Sequence, residues 1–272
     1  MMGTKSRLQE LKKRVQAVVD STAGHVSFML EDKDGNGLKM DADVQKKAAS
    51  LIKIPILMSA FKQVQTGKLK LTDRFSIDEK SRVAGAGVLQ FIDCKTSFSF
   101  CDLLTLMIIV SDNTATNKVI EIIGMESVDD FCVEQGLSRT KLERKMMDFR
   151  SAEAGFENST SVRDMVTCLK LLDEDKSVLF TNENKRLMLD ILGGQQLLDK
   201  LPFYMDLESV KVANKTGELP GVEHDCGIVS RGETNLFIAV MADGLYENSE
   251  GKRVIQQIGR IVDDYLRDSC ST

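Results

Sequence analysis

The chain of 272 residues lacks tryptophan and has only two histidines and three prolines. The histidines, His25 and His224, stand far apart, which gives little support to a Ser-His-Asp triad or a histidine-rich metal site. The six cysteines include no C-x-x-C spacing, so the sequence indicates neither a zinc site nor a redox-active pair. No run of 18 apolar residues occurs, and no membrane-spanning helix is predicted.

The net charge and the N-terminal residues indicate which partners and which cellular compartment to expect. The formal net charge is -5 and no basic block stands out, so a nucleic-acid partner is not expected. Residues 1–20 form a charged amphipathic pattern without the apolar stretch of a secretory signal. As written, the protein is therefore expected to be cytoplasmic, or periplasmic or secreted if a leader has been removed. We expect it to be a monomer.

Hydrophobic periodicity predicts one helix, two strands, a helical middle, three strands and a final helix. The simplest assembly is an α+β fold, in which a five-stranded antiparallel sheet is flanked by the N- and C-terminal helices and an all-helical lobe is inserted. We assign residues 1–45 and 195–272 to the α/β lobe and residues 46–194 to the helical lobe, with the active site in the cleft between them.

Several element boundaries follow from the same pattern. Residues 137–160 lack periodicity and are predicted to form a long functional loop. The predicted strands cover residues 25–31, 38–42, 208–216, 225–230 and 235–243. The predicted helices cover residues 5–20, 50–66, 100–110, 114–123, 126–136, 162–172, 182–192 and 250–266.

One acidic segment is similar to a calcium-binding loop but is better explained as a turn. The string that begins at Asp32, with Asp43 at its twelfth position, nearly fits an EF-hand. However, the alternation before it is typical of a strand, and its Asp-Gly-Asn-Gly sequence is a strong hairpin signal. We therefore expect no metal and no cofactor.

Three short motifs occur in order along the chain: Ser-x-x-Lys at Ser50 and Lys53, Ser-Asp-Asn at residues 111–113, and Lys-Thr-Gly at residues 215–217. Each is weak alone, but their joint occurrence at these spacings indicates a serine-based acyl-transfer site. Ser50 and Lys53 are three residues apart on a predicted helix, so the Lys53 amine can approach the serine hydroxyl. Burial and the positive charge of Lys215 would lower the pKa of Lys53 and make it a base.

The Ser-Asp-Asn motif suits proton relay and substrate binding. Ser111 is a candidate to carry a proton from Lys53 or Lys215 to a leaving nitrogen. Asn113 can donate to a substrate amide carbonyl and can also accept a hydrogen bond from Lys53.

The Lys-Thr-Gly motif suits the other end of the substrate. Lys215 and Thr216 would bind a substrate carboxylate with a cation and a hydroxyl. Gly217 permits close approach of the substrate to a strand edge. The backbone N–H groups of Glu218 and Ser50 would stabilise the developing oxyanion.

Taken together, the motifs resemble those of the class A β-lactamases and their relatives among the penicillin-recognising serine hydrolases. The resemblance extends from Val26 to Leu266. The supporting strings are residues 49–53, 87–90, 110–117 and 215–221. The resemblance implies a β-lactamase/transpeptidase-like fold, with an α/β lobe built from both chain ends and a helical lobe between them.

The resemblance also implies roles for the motif residues. By resemblance, Ser50 is the nucleophile and Lys53 is its proton acceptor. Ser111 is the proton shuttle, and Lys215 with Thr216 is the carboxylate site. The implied substrate is a small-molecule β-lactam or another acyl compound, and the implied reaction is hydrolysis through an acyl-enzyme.

One position departs from the family pattern. Class A enzymes carry a glutamate in the long loop, within an R-x-E-x-x-L-N string, that activates the deacylating water. Aligning Arg144 places Met146 at the position of that glutamate. Because a thioether cannot act as a general base, either Asp148 or Glu143 takes over, or Lys53 serves both steps, or deacylation is slow. Asp148 is the favoured carboxylate, and its alternative role is a salt bridge or a loop cap.

Three functions follow from these observations. The leading one is a class A β-lactamase-like serine hydrolase, with slow deacylation because of Met146. The second is a serine esterase, thioesterase or amidase that uses the same serine and lysine on another acyl substrate. The third is a covalent penicillin-binding module that becomes acylated and stays so.

Overall fold

The computed structural model describes residues 4–92, 97–173 and 179–270, and a five-stranded antiparallel sheet forms its centre. The strands are β1 (His25–Asp32), β2 (Gly37–Met40), β3 (Lys46–Lys47), β4 (Arg74–Phe75), β5 (Phe98–Ser99), β6 (Ser159–Thr160), β7 (Lys211–Leu219), β8 (Val222–Arg231) and β9 (Thr234–Asp243). The central sheet has the order β2-β1-β9-β8-β7, which makes β7 an edge strand. Two short sheets pair β3 with β6 and β4 with β5.

Helices cover both faces of the central sheet. They are α1 (Thr4–Asp20), α2 (Lys53–Gln65), α3 (Phe100–Ile109), α4 (Asn113–Ile123), α5 (Met125–Glu134), α6 (Phe149–Glu153), α7 (Val162–Asp173), α8 (Asn182–Gly193) and α9 (Asn248–Cys270). α1 and α9 pack on each other, and α9 packs on β8 and β9. α7 packs on β1, β8 and β9. In the described ranges, none of the helices combines the length and the apolarity needed to cross a membrane.

Successive side chains of the central strands enter two different apolar cores. In β1, Phe28 and Leu30 join a core with α1 and α9, whereas Met29 between them joins the core of the helical region. That second core includes fully buried residues of α2 such as Ile54 and Phe61. Because α2 contacts α3, α4, α5, α7 and α8, its N-terminal end is held at a fixed place beside the sheet.

The α+β fold with a five-stranded antiparallel sheet is confirmed, but local features differ from the prediction. The strand predicted over residues 208–216 spans Lys211–Leu219, so the whole Lys-Thr-Gly motif lies inside β7. The helix predicted over residues 50–66 begins as a 3₁₀ turn at Ala49–Ile52 and becomes α-helical at Lys53. The loop predicted over residues 137–160 contains the short α6 and β6, which are too short to produce a readable period. The division of the chain into two lobes stays a prediction.

The acidic segment forms the turn between β1 and β2. The Asp32 carboxylate accepts hydrogen bonds from the backbone N–H groups of Asp34 and Asn36, each at 2.9 Å. Gly35 has a φ of 79°, the left-handed conformation that glycine adopts without strain. The hairpin therefore accounts for the residues that are similar to a calcium loop.

Candidate active site

Ser50 lies in the 3₁₀ turn before α2, where it borders two cavities. The lysine cavity, of about 510 Å³, is lined by Ser50, Ser111, Lys200, Thr216, Glu218 and Lys252 together with neighbouring residues. The loop cavity, of about 200 Å³, is lined by Ser50, Asn113, Arg144, Met146, Glu157 and Glu218 together with neighbouring residues. Ala49, just before the serine, has a φ of 46°, a strained conformation for a residue with a side chain. Such strain is common at functional sites, and here it helps to present Ser50 between the cavities.

Lys53 is fully buried at the start of α2, where three oxygen atoms lie within hydrogen-bond distance of its Nζ. Its Nζ donates to the Ser111 carbonyl oxygen at 2.8 Å, to Ser111 Oγ at 3.0 Å and to Asn113 Oδ1 at 3.0 Å. Burial, followed by the positive charge of Lys215, holds the pKa of Lys53 well below its usual value, and Asp112 opposes this shift. A low pKa favours the neutral amine, which is the form that can accept a proton.

Ser111 connects the two buried lysines. Its Oγ lies 3.0 Å from Lys53 Nζ and 3.0 Å from Lys215 Nζ. Its φ of 55° is unusual for serine and turns the chain sharply between α3 and α4. Burial, followed by the positive charge of Lys200, lowers the pKa of Lys215 to about 7. The chain Lys53–Ser111–Lys215 therefore joins two amines that are easily deprotonated through one hydroxyl.

The middle residue of the Ser-Asp-Asn motif is structural. The buried Asp112 carboxylate caps α4 by accepting from the Ala115 N–H at 2.9 Å. It also accepts from the N–H groups of Val88 and Leu89, at 2.6 and 2.8 Å. A Cβ on Gly87, which has a φ of 105°, would come within 2.3 Å of this carboxylate. Asp112 thus fixes the loop whose residue Ala86 borders both cavities.

The Lys-Thr-Gly motif lies on the edge strand β7 against the 3₁₀ turn. A Cβ on Gly217 would lie 3.3 Å from the Ala49 Cβ, so a side chain here would push β7 and the turn slightly apart. The Asn214 and Thr216 carbonyls accept from the side chains of Gln195 and Lys215, at 3.2 and 2.8 Å, on the outer edge of β7. Since alternate residues of a strand face the same edge, the N–H of Glu218 points to that edge as well.

Met146 occupies the wall of the loop cavity, where it is held by its backbone. The Met146 N–H donates to Asn117 Oδ1 at 2.7 Å, and Asn117 Nδ2 donates to the Met146 carbonyl at 3.0 Å. The side chain is 8% exposed and borders the same cavity as Ser50. Glu157 is also in the cavity wall, but Arg144 pairs with it at 2.7 Å. A thioether therefore stands where a water-activating base would be needed.

Asp148 is placed differently from the motif residues. Its carboxylate caps α6 by accepting from the Ser151 N–H at 3.1 Å and from Ser151 Oγ at 2.7 Å. These hydrogen bonds lower the pKa of Asp148, which makes it a weaker base. Neither Asp148 nor Glu143 is among the residues that line the loop cavity. The structure does not bring Asp148 to Ser50, and its role in deacylation stays a prediction that this geometry does not favour.

Buried charged residues near the motifs were missed by the sequence analysis. Lys200, whose side chain is 2% exposed, donates to the Gly217 carbonyl at 2.8 Å and to the His224 carbonyl at 3.4 Å, and it forms an ion pair with Glu223. His224 Nε2 lies 2.9 Å from the Lys47 carbonyl, and burial lowers the His224 pKa to about 4, which fits a structural histidine. No sequence motif surrounds Lys200, so only the three-dimensional structure reveals that this lysine is buried beside β7.

The residues around Ser50 have the composition of a serine acyl-transfer site on an α+β scaffold. The chain belongs to the beta-lactamase enzyme family, which it matches over residues 10–266. A beta-lactamase from Sphaerobacter thermophilus is 28% identical with a TM-score of 0.87, over 93% of this chain and 96% of that chain. PBP-A is 26% identical with a TM-score of 0.86, over 96% of this chain and 97% of that chain. A mutant of PBP-A has been solved as an acyl-enzyme complex with penicillin G.

A more distant structure shares the fold alone. A class A beta-lactamase from Bacteroides cellulosilyticus is 20% identical with a TM-score of 0.86, over 96% of this chain and 99% of that chain. The similarity covers nearly the full length of each of these proteins. The family and the fold thus make this chain a β-lactamase-type serine enzyme.

Proposed function

We propose that Ser50 is acylated by β-lactams and that the acyl-enzyme is hydrolysed slowly. The observation that carries the proposal is the contrast around Ser50. One side has the Lys53–Ser111–Lys215 hydrogen-bond chain, and the other side has Met146 in the cavity wall. The first arrangement favours formation of the ester, whereas the second leaves its hydrolysis without a base.

Acylation begins with removal of the Ser50 proton. Lys53 in its neutral form takes this proton, and the serine oxygen attacks the β-lactam carbonyl carbon. The N–H groups of Ser50 and Glu218 stabilise the oxyanion. Ser111 then donates its proton to the leaving nitrogen and is reprotonated from Lys53 or Lys215, both of which lie 3.0 Å from its Oγ. The C–N bond breaks and the ring opens, leaving an ester on Ser50.

Substrate binding uses the opposite side of the lysine cavity. A protonated Lys215 and the Thr216 hydroxyl bind the carboxylate of the β-lactam. The Asn113 side chain lines the loop cavity, and its Nδ2 donates one hydrogen to the Ala84 carbonyl at 3.2 Å. The second Nδ2 hydrogen is the donor for the acyl-side carbonyl of the substrate.

Deacylation needs a base to activate a water molecule. Among the described residues, the carboxylates that border the loop cavity are Glu157, which pairs with Arg144, and Glu218, which lies 3.4 Å from Lys252. Both carboxylates are therefore engaged by cations that an attacking water would have to displace. Hydrolysis of the ester therefore depends on a poorly activated water, and the adduct is expected to be long-lived.

The experiment that tests this proposal is intact-mass spectrometry after mixing with benzylpenicillin. The expected result is a mass increase of one benzylpenicillin on the wild type, mapped by peptide analysis to Ser50. Ser50→Ala should show no adduct, and Ser21→Ala, at an exposed serine outside both cavities, should be labelled like the wild type. An adduct on Ser50→Ala would contradict the assignment of the nucleophile.

Two other outcomes would favour the alternative functions. If the wild type forms no adduct but hydrolyses p-nitrophenyl esters through Ser50, the enzyme is an esterase or thioesterase on a different acyl substrate. If the adduct does not decay at all, the protein is a covalent penicillin-binding module.

A further inference from the structure

Lys200 is a buried cation whose contacts are with the protein itself. Its Nζ donates to the Gly217 carbonyl at 2.8 Å and to the His224 carbonyl at 3.4 Å. It also forms an ion pair with the Glu223 carboxylate. Glu218 lies farther away, at 3.9 Å. Although Lys200 borders the lysine cavity, it is committed to the protein itself.

The contacts of Lys200 join the two strands that carry the substrate-binding edge. Gly217 on β7 and His224 on β8 are directly opposite each other in the sheet. Because one ammonium group donates to both carbonyls, it fixes their position relative to each other. The next residue on β7 is Glu218, whose N–H faces the outer edge. A shift of Gly217 would therefore displace the proposed oxyanion donor.

The charge of Lys200 also acts on Lys215. Lys215 is faced by Lys53 and Ser111 on the helical side, by Lys200, and by Asp225 and Cys226 on β8. After burial, the positive charge of Lys200 is the largest influence lowering the pKa of Lys215, and Asp225 and Cys226 act in the opposite direction. Removing Lys200 should therefore make Lys215 hold its proton to higher pH.

We propose that Lys200 is a positioning residue, which holds the Gly217–Glu218 strand end in the geometry for acylation. The proposal rests on the proposed function of Ser50. It assigns Lys200 no contact with the substrate. The two effects of Lys200, one through the strand and one through its charge on Lys215, are separable by experiment.

The first experiment compares Lys200→Met with a control, Lys12→Met. Lys12 is an exposed lysine of α1 that lines neither of the two cavities beside Ser50. The measurement is the second-order rate constant of acylation against pH, with benzylpenicillin and with p-nitrophenyl acetate, which has no carboxylate.

For Lys200→Met we expect acylation of both substrates to fall by about 10-fold, less than the ~100-fold that loss of an oxyanion donor causes. The decline at high pH with benzylpenicillin should move upward by about 1 pH unit. Lys12→Met should change neither quantity. A loss confined to benzylpenicillin would make Lys200 a direct carboxylate ligand and overturn the proposal, and an unchanged pH profile would refute the effect of its charge on Lys215.

A second variant guards against misfolding. Lys200→Met leaves the Glu223 carboxylate buried without a cation, which is strongly destabilising. In the double variant Lys200→Met/Glu223→Gln both charges are removed, and the same changes in rate and pH profile are expected. A double variant that folds and behaves like the wild type would contradict the proposal.

A third measurement does not depend on activity. An NMR titration of ¹³C-labelled lysine, with Lys215 assigned by Lys215→Met, should show a midpoint near pH 7 in the wild type. The midpoint should rise in Lys200→Met, and an unchanged midpoint would refute the electrostatic part. If wild-type Ser50 is not acylated by either substrate, the proposed function fails, while this titration still decides whether Lys200 controls Lys215.

Discussion

The two cavities beside Ser50 differ in what they offer to a reaction. The lysine cavity is backed by three buried lysines, Lys53, Lys200 and Lys215, whose ammonium groups are hydrogen-bonded to defined acceptors. Among the described residues, the loop cavity is bordered by the thioether of Met146 and by two carboxylates, Glu157 paired with Arg144 and Glu218 paired with Lys252. The same serine therefore faces a well-organised set of proton carriers on one side and ion-paired carboxylates on the other.

This difference indicates that formation of the ester and its hydrolysis depend on separate groups of residues. Formation of the ester needs groups that remove and deliver protons, and these are placed by α2, the turn before α4, and β7. Hydrolysis of the ester needs in addition a base for water, which must come from the loop. Changes on either side should alter one rate constant far more than the other.

The largest expected effect is on the lysine side. Lys53→Met keeps an apolar stem of similar length but removes the amine that accepts the Ser50 proton. Acylation by benzylpenicillin should fall by about 10²- to 10⁴-fold, the usual contribution of a general base. Stopped-flow measurement of acylation checks this, with the exposed Lys12→Met as the control. An acylation rate within tenfold of the wild type would exclude Lys53 as the base.

A gain of function is expected on the loop side. Met146→Glu places a carboxylate in the cavity beside Ser50. The two hydrogen bonds between the Asn117 side chain and the backbone of residue 146 keep that backbone in position. The deacylation rate should rise by about 100-fold or more, because a general base is supplied. Met146→Gln is the matched control, since it has a similar shape and no basic oxygen. Equal deacylation rates for both variants and the wild type would show that the loop cavity does not hold the deacylating water.

The next prediction concerns pH. Burial and the positive charge of Lys200 lower the pKa of Lys215 to about 7. In the proposed mechanism the protonated form of Lys215 binds the substrate carboxylate. As pH rises above about 7 this form is lost, so acylation by benzylpenicillin should decline by up to about 10-fold per pH unit. p-Nitrophenyl acetate, which has neither a carboxylate nor a leaving nitrogen, should lack this decline. A parallel decline for both substrates would assign the pKa to another group.

The smallest effect is expected at Asp148. Asn caps helices about as well as Asp, so Asp148→Asn should preserve α6 while removing a basic oxygen. The deacylation rate, followed by mass spectrometry, should stay unchanged. A fall of about 10-fold or more would restore Asp148 as the deacylating base. Asp148→Ala removes the helix cap together with the carboxylate, so this variant should also lower the melting temperature.

The sequence predicts much of the acylating side because its residues lie in short motifs. Lys53, Ser111 and Lys215 come from three distant segments, and the structure brings them within hydrogen-bond distance. The order of strands and helices predicts the α+β fold for a similar reason, since each element has its own period. A feature contained in a few neighbouring residues can be read from the sequence.

The remaining features depend on packing between distant segments. Lys200 is buried because residues 195–207 lie against β7 and β8, and nothing in its local sequence indicates this. The role of Asp112 requires the loop at Val88 to fold onto it. Asp148 was favoured as a base because of its position in the sequence, but its own neighbour Ser151 occupies the carboxylate. Local hydrogen bonds of this kind decide what a carboxylate can do.

The most direct test of the contrast between the two cavities is the time course of the benzylpenicillin adduct on the wild-type enzyme. Intact-mass spectrometry under excess substrate and after its removal gives the acylation and deacylation rates from one sample. The account predicts rapid, stoichiometric labelling of Ser50 followed by decay at least about 100-fold slower than in Met146→Glu. Decay as fast as in Met146→Glu would contradict it, because the wild type would then already contain an effective base.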